Sequence, residues 1–236
     1  MAGINLNNIR KTYAVDNQKL SVLKGVDLHI PEKKITVVLG RSGCGKTTLL
    51  RIVGGLEMAD AGSIEFDEEH KMAFVFQESR LMPWLNVWEN VKFGLKKKEC
   101  SDEFIRGIIH TVGLNGFEKA YPNQLSGGMQ QRVAIARALA YNPSFIMMDE
   151  PFAALDYFTR SQMQRELISL QKNRGASILF VTHSIDEALL LGDKIVVIED
   201  GQIKREIVVE EYREKRNLLK PKYIELKKTI IEQLNL

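Results

Sequence analysis

The feature that most constrains the fold of this chain is a glycine-rich loop placed directly after an apolar strand pattern. The loop reads GRSGCGKT and covers residues 40–47, after the β-branched run KITVVLG. Glycines let consecutive backbone N–H groups curl around phosphate oxygens, and the positive end of the following helix attracts an anion. This strand–loop–helix context is the one in which such a loop binds nucleotide phosphates. We therefore expect a nucleotide site here.

Two side chains of the loop suit triphosphate chemistry. Lys46 is long enough to reach the β- and γ-phosphates, and the hydroxyl of Thr47 suits Mg²⁺, a hard cation that prefers oxygen ligands. The alternative is a glycine-rich turn with an accidental lysine, and the strand before the loop counts against it. The nucleotide-binding residues predicted in this segment are Gly40, Arg41, Ser42, Gly43, Cys44, Gly45, Lys46, Thr47 and Thr48.

Further apolar runs alternate with helical patterns along the chain. They cover residues 72–77, 144–150, 177–183 and 194–200, and several are almost continuously apolar. A strand with that composition is covered on both faces, as in a parallel sheet flanked by helices. The sequence therefore predicts an α/β fold, with a P-loop NTPase core built on a mostly parallel sheet.

Other segments depart from this alternation. Half-buried strand patterns near the amino terminus, INLNNIRKTY and LKGVDLHI, join GSIEFD in a predicted N-terminal antiparallel β subdomain. Residues 78–141 are mostly helical in pattern and are predicted to form an inserted helical subdomain. We expect a single domain over residues 1–236, with a nucleotide-binding core of residues 1–77 and 142–210 and a C-terminal helical tail at 211–236.

Composition excludes several classes of protein. The chain is 44% hydrophobic and 27% charged, with a net charge of +3, which is ordinary for a globular protein and does not favour nucleic-acid binding. Its two cysteines, Cys44 and Cys100, do not suggest a disulfide framework and fit a reducing cytoplasm. The first residues lack the apolar segment of a secretory signal, and the longest apolar runs are too short to span a bilayer. Any membrane role is therefore expected to come through a partner.

Two acidic residues end an apolar strand pattern in the segment FIMMDEP. Open α/β sheets place their ligands at such strand ends, so Asp149 is predicted to hold Mg²⁺ and Glu150 to orient and deprotonate an attacking water. Pro151 is expected to force Glu150 into an extended conformation. In isolation, the two acids equally fit a simple preference for the start of the following helix.

A second glycine-rich helix start lies in QLSGGMQQR, residues 124–132. Ser126, Gly127 and Gly128 offer a hydroxyl and bare backbone amides at a predicted helix N-terminus, which is a further anion site. For this tripeptide alone, an ordinary serine N-cap is the favoured interpretation. One nucleotide needs only one phosphate-binding loop, so the second anion site requires a separate explanation.

Capping residues predict several helix boundaries. Asp156 is a good N-cap for a helix that ends near Gly175, and the Asn-Pro pair at 142–143 ends the helix before it. Ser184 and Glu187 match a capping box, in which each side chain accepts a hydrogen bond from the backbone N–H of the other residue. A short helix is therefore expected directly after Ser184.

The segment LSGGMQ resembles the signature motif of the ATP-binding cassette (ABC) ATPases. The resemblance, which runs from about Ile4 to about Lys204, implies that two identical chains meet head to tail and enclose two ATP molecules. It also implies that the signature of one chain covers the γ-phosphate of ATP held by the phosphate loop of its partner. The residues that it assigns to nucleotide binding are Ser126, Gly127, Gly128 and Gln130.

The remaining motifs of the family occur in the expected order. Tyr13 matches the aromatic residue that stacks on adenine, although an ordinary strand tyrosine stays an open alternative. Gln77 matches the glutamine that contacts Mg²⁺ and the attacking water, and Asp156 matches the aspartate that crosses the dimer interface. His183 matches the histidine that reaches the γ-phosphate. The resemblance thus assigns catalysis to Glu150, His183, Gln77 and Lys46, and the metal to Thr47, Gln77 and Asp149.

The stretch around and after Gln77 narrows the resemblance. FVFQESRLMPWLNVWENVKFGL looks like the corresponding stretch of the importer ATPases for nitrate, sulfonates and taurine. Its apolar residues Leu81, Met82, Trp84 and Trp88 are predicted to receive a short helix of a membrane subunit. The alternative is that they form the core of the helical subdomain.

This resemblance implies the ATP-hydrolysing subunit of an importer, at the cytoplasmic face of the cell membrane. Its implied cofactors are ATP and Mg²⁺. Its implied partners are a second copy of the chain, two integral membrane permease subunits and, indirectly, a solute-binding protein, with no nucleic acid. Two other classes stay open: a soluble ABC ATPase that works without a membrane, and a small-molecule kinase or GTPase, which would leave LSGGMQ without a purpose.

Overall fold

The computed structural model describes residues 3–15, 18–67, 70–96 and 101–234. The chain forms two compact units, the first made of Met1–His70 with Gly175–Leu236 and the second made of Lys71–Arg174. Cys100, one of the two cysteines of the sequence, lies outside the described residues.

The secondary structure alternates between strands and helices, as the sequence predicts. In chain order, the strands are β1 (Gly3–Val15), β2 (Gln18–Pro31), β3 (Ile35–Leu39), β4 (Ala61–Phe66), β5 (Met72–Val75), β6 (Phe145–Asp149), β7 (Ser177–Thr182), β8 (Lys194–Glu199) and β9 (Gln202–Val208). The α-helices are α1 (Lys46–Val53), α2 (Val87–Lys92), α3 (Asp102–Thr111), α4 (Gly127–Ala140), α5 (Tyr157–Arg174), α6 (Ile185–Leu191) and α7 (Pro221–Gln233), with 3₁₀ turns at Pro122–Gln124 and Arg213–Lys215. None of the described helices is long and apolar enough to cross a membrane.

An antiparallel sheet with the spatial order β2–β1–β4 belongs to the first unit. Ile4 pairs with Ile30 on one side and with Phe66 on the other. Ile4 and Ile30 are buried, whereas exposed residues occur at other positions of both strands. This half-buried pattern is typical of antiparallel sheets with one covered face. The predicted N-terminal antiparallel sheet is confirmed.

The first unit also contains a largely parallel sheet with the order β7–β3–β8–β9. β3 pairs in parallel with β7 and β8, and β9 runs antiparallel to β8. Every residue of β3 and β7 is buried, which explains their nearly continuous apolar sequences. Leu39 lies opposite Thr182 and Val197. The segments that follow β3 and β7 therefore leave from the same edge of the sheet.

The carboxy-terminal part of the chain packs on α6 in the first unit. Arg216 is buried there, and its guanidinium donates to the carbonyl oxygens of Leu189 at 2.9 Å and Gly192 at 2.7 Å, at the end of α6. It also donates to Glu211 O at 2.9 Å and Val209 O at 3.2 Å. These bonds offset the cost of burying a cation, and α7 completes the contact with α6.

The second unit combines a parallel strand pair with helices. β5 and β6 pair in parallel, with Val75 opposite Met148. α2 and α3 both pack against α4, whose buried side includes Val133, Ala134 and Ala136. These small side chains allow the neighbouring elements to approach α4 closely. The strands predicted over 72–77 and 144–150 are confirmed, with shorter bounds.

Capping residues fix the helix ends of the second unit as predicted. Ser126 caps α4, since its Oγ accepts from the Met129 N–H at 3.2 Å. Asp156 caps α5, because its carboxylate accepts from the N–H groups of Phe158 and Thr159, both at 3.0 Å. Asn142, with a φ of 50°, adopts the left-handed conformation that ends a helix.

Candidate functional site

Glycines hold the phosphate loop against neighbouring strands of the first unit. A Cβ added at Gly40 would lie 2.3 Å from the Ile198 carbonyl oxygen of β8. At Gly45, whose φ is +103°, it would lie 2.8 Å from the Val22 carbonyl oxygen of β2. At the tip of the loop, a Cβ on Gly43 would meet nothing within 4 Å. The loop is therefore fixed at its base, and its tip has room for a ligand.

The ammonium group of Lys46 lies inside this loop. Lys46 begins α1, is only 5% exposed, and donates to the carbonyl oxygens of Gly40 at 2.9 Å and Arg41 at 2.7 Å. A cation at the positive end of a helix, surrounded by backbone amides, suits phosphate oxygens. Burial raises the pKa of the adjacent Cys44 thiol, with partial opposition from the Lys46 charge. Cys44 therefore stays a neutral thiol at neutral pH rather than a reactive thiolate.

Tyr13 lies beside the helix that follows the phosphate loop. Its hydroxyl donates a hydrogen bond to Glu57 and lies 3.5 Å from the Thr48 Oγ1 of α1. Burial, followed by the bond to Glu57, raises the pKa of Tyr13, so the phenol stays neutral. Lys11 completes the cluster, with its Nζ 3.5 Å from Glu57 Oε1. The structure thus brings two of the predicted nucleotide-binding residues, Tyr13 and Thr48, together.

His183 follows β7 and is exposed at the sheet edge from which the phosphate loop also departs. Ser184 caps α6, since its Oγ accepts from the Glu187 N–H at 3.3 Å. The second half of the predicted capping box is wrong. The Ser184 N–H donates to Thr182 Oγ1 at 3.0 Å, and that hydroxyl donates to Glu187 Oε2 at 2.6 Å. The Thr182 hydroxyl therefore lies between the Ser184 N–H and the Glu187 carboxylate, and the side chains of Thr182 and Glu187 are both buried.

Asp149 is the last residue of β6 in the second unit, and Glu150 follows it. Asp149 is 3% exposed, whereas Glu150 is half-buried. The expected extended conformation of Glu150 is wrong, because its φ is 44°, in the left-handed region. The chain turns sharply here, with the Ala153 N–H donating to the Glu150 carbonyl oxygen at 3.1 Å, and this turn overrides the preference imposed by Pro151. A residue other than glycine is strained in the left-handed conformation, and such strain is often found at functional residues.

The glycine-rich start of α4 is open to solvent on one side. Ser126 and Gly127 are exposed, and a Cβ on Gly127 would meet nothing within 4 Å. A Cβ on Gly128 would lie 3.2 Å from Leu155 Cδ2 and 3.3 Å from Ala154 O. The first two residues therefore present a hydroxyl and backbone amides to an approaching group, while Gly128 packs on the segment before Asp156.

Asp156 is exposed next to this segment. Its pKa is lowered, chiefly by hydrogen bonds from the Thr159 hydroxyl and N–H groups at the start of α5. The carboxylate is therefore ionised at neutral pH. The N-cap role is confirmed, while the interface role stays a prediction.

Gln77 is exposed two residues after the end of β5, and side chains of α4 hold the backbone on both sides of it. The side chains that do so, Gln131 and Arg137, were not found from the sequence, and neither was Glu57. A signal was present for Arg137, since an arginine within the apolar run RVAIARALA needs buried partners. Glu57 carries no comparable signal.

The predicted magnesium ligands have the chemistry that this ion requires. Thr47, Asp149 and Gln77 supply a hydroxyl, a carboxylate and an amide oxygen, all hard donors. In the described part of the chain, no cluster of three or more His, Cys, Asp or Glu residues could hold a metal ion. A single carboxylate with neutral oxygens fits Mg²⁺, which keeps several waters and binds substrate phosphates.

Comparison with known proteins assigns the family. The model of the family described as "ABC transporter" matches residues 23–153. This chain belongs to the ABC transporter family. An ABC cassette solved as a dimer in a post-hydrolysis state, bound to ADP and Pi, has a TM-score of 0.82 to this chain at 34% identity, over 89% of this chain and 100% of that one.

Relatives in the family match almost the whole chain. An uncharacterized ABC transporter ATP-binding protein of Methanocaldococcus jannaschii is 42% identical over 98% of this chain and 91% of that protein. The aliphatic sulfonates import ATP-binding protein SsuB of Bacillus anthracis is 38% identical over 98% of this chain and 95% of that protein. The predicted fold class and family resemblance are confirmed, and the chain is an ATP-binding ATPase. The kinase or GTPase alternative is thereby excluded.

Proposed function

We propose that this chain is the ATP-hydrolysing subunit of an importer for a sulfonate, nitrate, taurine or a similar small solute. The observation that carries the proposal is the presence of two separate glycine-rich helix starts suited to anions, at Lys46 and after Ser126, in a member of the ABC family. The names of relatives as importers of aliphatic sulfonates support the choice of solute.

The first helix start binds the nucleotide of its own chain. Lys46 and the loop amides hold the β- and γ-phosphates, and Tyr13 stacks on adenine. Thr47, Asp149 and Gln77 are the residues that would hold Mg²⁺. When bound, this ion neutralises the charge that develops on the phosphates. The remaining loop residues, Arg41 to Gly45 with Thr48, complete the phosphate-binding site.

Side chains near the strand ends promote hydrolysis. Glu150 orients the attacking water and accepts its proton, so that hydroxide character develops as the phosphorus–oxygen bond to ADP breaks. Gln77 contacts the same water, and His183 donates a hydrogen bond to the γ-phosphate. These roles need positioning rather than covalent chemistry, which fits residues at helix and strand ends.

The second helix start serves a nucleotide held by a partner copy of this chain. The exposed Ser126 hydroxyl and the amides of Gly127 and Gly128 cap the γ-phosphate, aided by Gln130, and Asp156 crosses the interface. The closed pair is then favoured only while the γ-phosphate is present, because only that state offers both sets of contacts. Hydrolysis removes the shared anion, and the pair opens.

The region after Gln77 carries this movement to two integral membrane permease subunits at the cytoplasmic face of the membrane. Trp84 is 70% exposed there, which fits a docking residue better than a core residue. The side chains of Lys92 and Arg106 lie over Trp88, 5.7 Å and 5.4 Å from its ring centroid. A solute-binding protein is an indirect partner through the permease.

Nucleotide-dependent pairing tests this proposal. Glu150→Gln should run as a dimer on a sizing column with ATP and as a monomer with ADP, because the variant binds ATP without consuming it. Glu103→Gln, an exposed change on α3, is the matched control and should hydrolyse ATP without accumulating a dimer. Pairing that is equal with ADP and ATP, or absent with both, would contradict the shared site.

The identity of the solute and its coupling to ATP hydrolysis are tested with the complete transporter. The chain, co-purified with its permease subunits and placed in vesicles, should show ATP turnover that rises with one of sulfonate, nitrate or taurine in the presence of the binding protein. Turnover that is independent of a permease and of every solute would instead favour a soluble ABC ATPase.

A further inference from the structure

The helix α4 holds the segment around Gln77 by its side chains. The Gln131 amide, which is buried, donates to the Phe76 carbonyl oxygen at 2.9 Å. One residue earlier on the helix, the Gln130 Oε1 accepts from the Ser79 hydroxyl at 3.3 Å. The segment is thus held by the Phe76 backbone immediately before Gln77 and by the Ser79 side chain two residues after it.

Arg137 provides two further links, both to backbone carbonyl groups. Its guanidinium donates to the carbonyl oxygens of Ser79 at 3.2 Å and Arg80 at 3.0 Å. Burial lowers the pKa of Arg137, and these carbonyl oxygens meet part of the cost of burying its charge. The segment is further compacted by Arg80, which has a φ of 43° and stacks over the Phe76 ring at 4.0 Å.

The same helix begins at the signature residues. α4 runs without a break from Gly127 to Ala140, and Ser126 caps it. Gln131 and Arg137 are separated by about 9 Å along the axis of such a helix. A packed helix of this length moves as a rigid rod, so a displacement at its N-terminus also displaces the carbonyl groups held by its side chains.

We propose that Arg137 and Gln131 are positioning residues that set the place of Gln77 through its flanking backbone. Contact of Ser126 with a phosphate and the placement of Gln77 then occur as one movement of α4. This inference rests on the proposed function, since it needs a phosphate to reach the start of α4. It adds that the coupling is carried by side chains within one compact unit of the chain.

Substitution of Arg137 separates positioning from folding. Arg137→Met keeps length and apolar contacts but removes both hydrogen bonds, and water can reach the exposed Arg80 carbonyl region. Arg137→Lys keeps a donor and should rescue part of the effect. Gln131→Met tests the second link independently, and Arg165→Met, an exposed arginine on α5 of the same unit, is the matched control.

Steady-state kinetics give the first readout. Arg137→Met should lower kcat by about 10- to 100-fold while changing the KM for ATP and the binding of ATP by less than about twofold, because a displaced catalytic group costs turnover rather than binding. Arg137→Lys should recover at least half of the lost activity on a logarithmic scale, and Arg165→Met should match the wild type.

Tryptophan emission gives a second readout that a merely structural role would not change. The two tryptophans of the chain, Trp84 and Trp88, lie shortly after Gln77. In a Glu150→Gln background, ATP-driven pairing should shift their emission, and adding Arg137→Met should suppress the shift while the dimer still forms. Trp84→Phe in the same background shows which of the two tryptophans gives the emission shift.

Each outcome decides the inference. Unchanged kcat in both Arg137→Met and Gln131→Met, or an unchanged emission shift, would overturn it. Loss of ATP binding by both variants would also overturn it, because nucleotide affinity belongs to the phosphate loop in the other unit. If Glu150→Gln alone fails to pair with ATP, the proposed function fails, and that result is distinct from either of these.

Discussion

The hydroxyl of Thr182 donates a hydrogen bond to the carboxylate of Glu187, with 2.6 Å between Oγ1 and Oε2. Both side chains are buried, at 2% and 6% exposure, although His183 between them in sequence is exposed. The same hydroxyl accepts from the Ser184 N–H. The residues on either side of His183 are therefore linked to one buried carboxylate through the Thr182 hydroxyl, which restrains the backbone that carries the imidazole.

Removing this hydroxyl should affect both stability and turnover. Thr182→Val keeps the volume of the side chain but takes its donor away from the buried carboxylate, and we expect a loss of about 1–3 kcal/mol in the free energy of unfolding. We also expect kcat to fall by about tenfold, because His183 loses its orientation. Chemical denaturation and ATPase rates measure the two effects. Thr182→Ser retains the hydroxyl and is the control; a valine variant with wild-type turnover would contradict the role.

The bond from Tyr13 to Glu57 predicts a change that is specific for the nucleobase. Glu57→Ala frees the Tyr13 ring, and we expect ATP affinity to fall by about fivefold, or about 1 kcal/mol, because a mobile ring stacks less well. Inorganic triphosphate, which has no base, should bind unchanged. Isothermal titration measures both ligands, and Glu65→Ala, an exposed change on β4, serves as the control. An equal loss for both ligands would place the effect in the phosphate loop instead.

Two serine N-caps of the second unit allow a matched test of the signature. Ser126 and Ser101 both cap a helix: the Oγ of Ser126 accepts from the Met129 N at 3.2 Å, and that of Ser101 accepts from the Phe104 N at 3.1 Å. Arginine at either position removes a cap and costs about 1 kcal/mol of stability. Ser126→Arg should in addition lower kcat by about 100-fold or more, since a bulky side chain blocks the partner's phosphate.

The isolated chain should bind ATP normally in both arginine variants. Fluorescent-nucleotide titration checks that binding, and turnover is measured in parallel. Loss of ATP binding in Ser126→Arg alone would show that the signature serves its own chain, and equal turnover losses in the two variants would reduce the effect to helix capping.

The ionisation of Glu211 and Tyr223 in the C-terminal tail predicts the pH range over which this part of the fold is most stable. Hydrogen bonds from Lys222, Tyr223 and Lys220 lower the pKa of Glu211 from 4.5 to about 2. A carboxyl whose pKa is lower in the folded state stabilises that state above its unfolded pKa, and this contribution is lost as the pH falls from 4.5 towards 2.

The opposite limit comes from Tyr223. Burial, with the hydrogen bond to Glu211, raises the pKa of Tyr223 to about 12. Its contribution is complete below pH 10 and is lost as the pH rises towards 12.

Thermal unfolding temperatures measured against pH should show the loss of stability at acidic pH in the wild type and a weaker loss in Glu211→Gln. The exposed change Glu210→Gln is the control. An unchanged acidic limb in Glu211→Gln would remove Glu211 as its cause.

Local rules were enough to predict much of this molecule. The apolar runs identified β3, β6 and β7 because a strand covered on both faces must be apolar along its length. The phosphate loop was predictable because only glycine tolerates both the close approach at Gly40 and the φ of +103° at Gly45. Caps at Ser126 and Asp156 follow from contacts within three residues.

Two local predictions were wrong where the surroundings overrode a preference of the backbone. At Glu150, the turn after β6 imposes a φ of 44° despite the proline that follows. At Glu187, the carboxylate meets the Thr182 hydroxyl, so the Ser184 N–H is satisfied by threonine instead.

The amino-acid sequence by itself determined most of the strands, several helix starts and the chemistry that they offer to a nucleotide. Only the tertiary structure decided which side chains hold those groups in place. Tyr13 meets Glu57 across 44 residues, and Arg137 meets Arg80 across 57. Such pairs are invisible to periodicity and capping rules, because they depend on which surfaces of distant segments come together when the chain buries its apolar area.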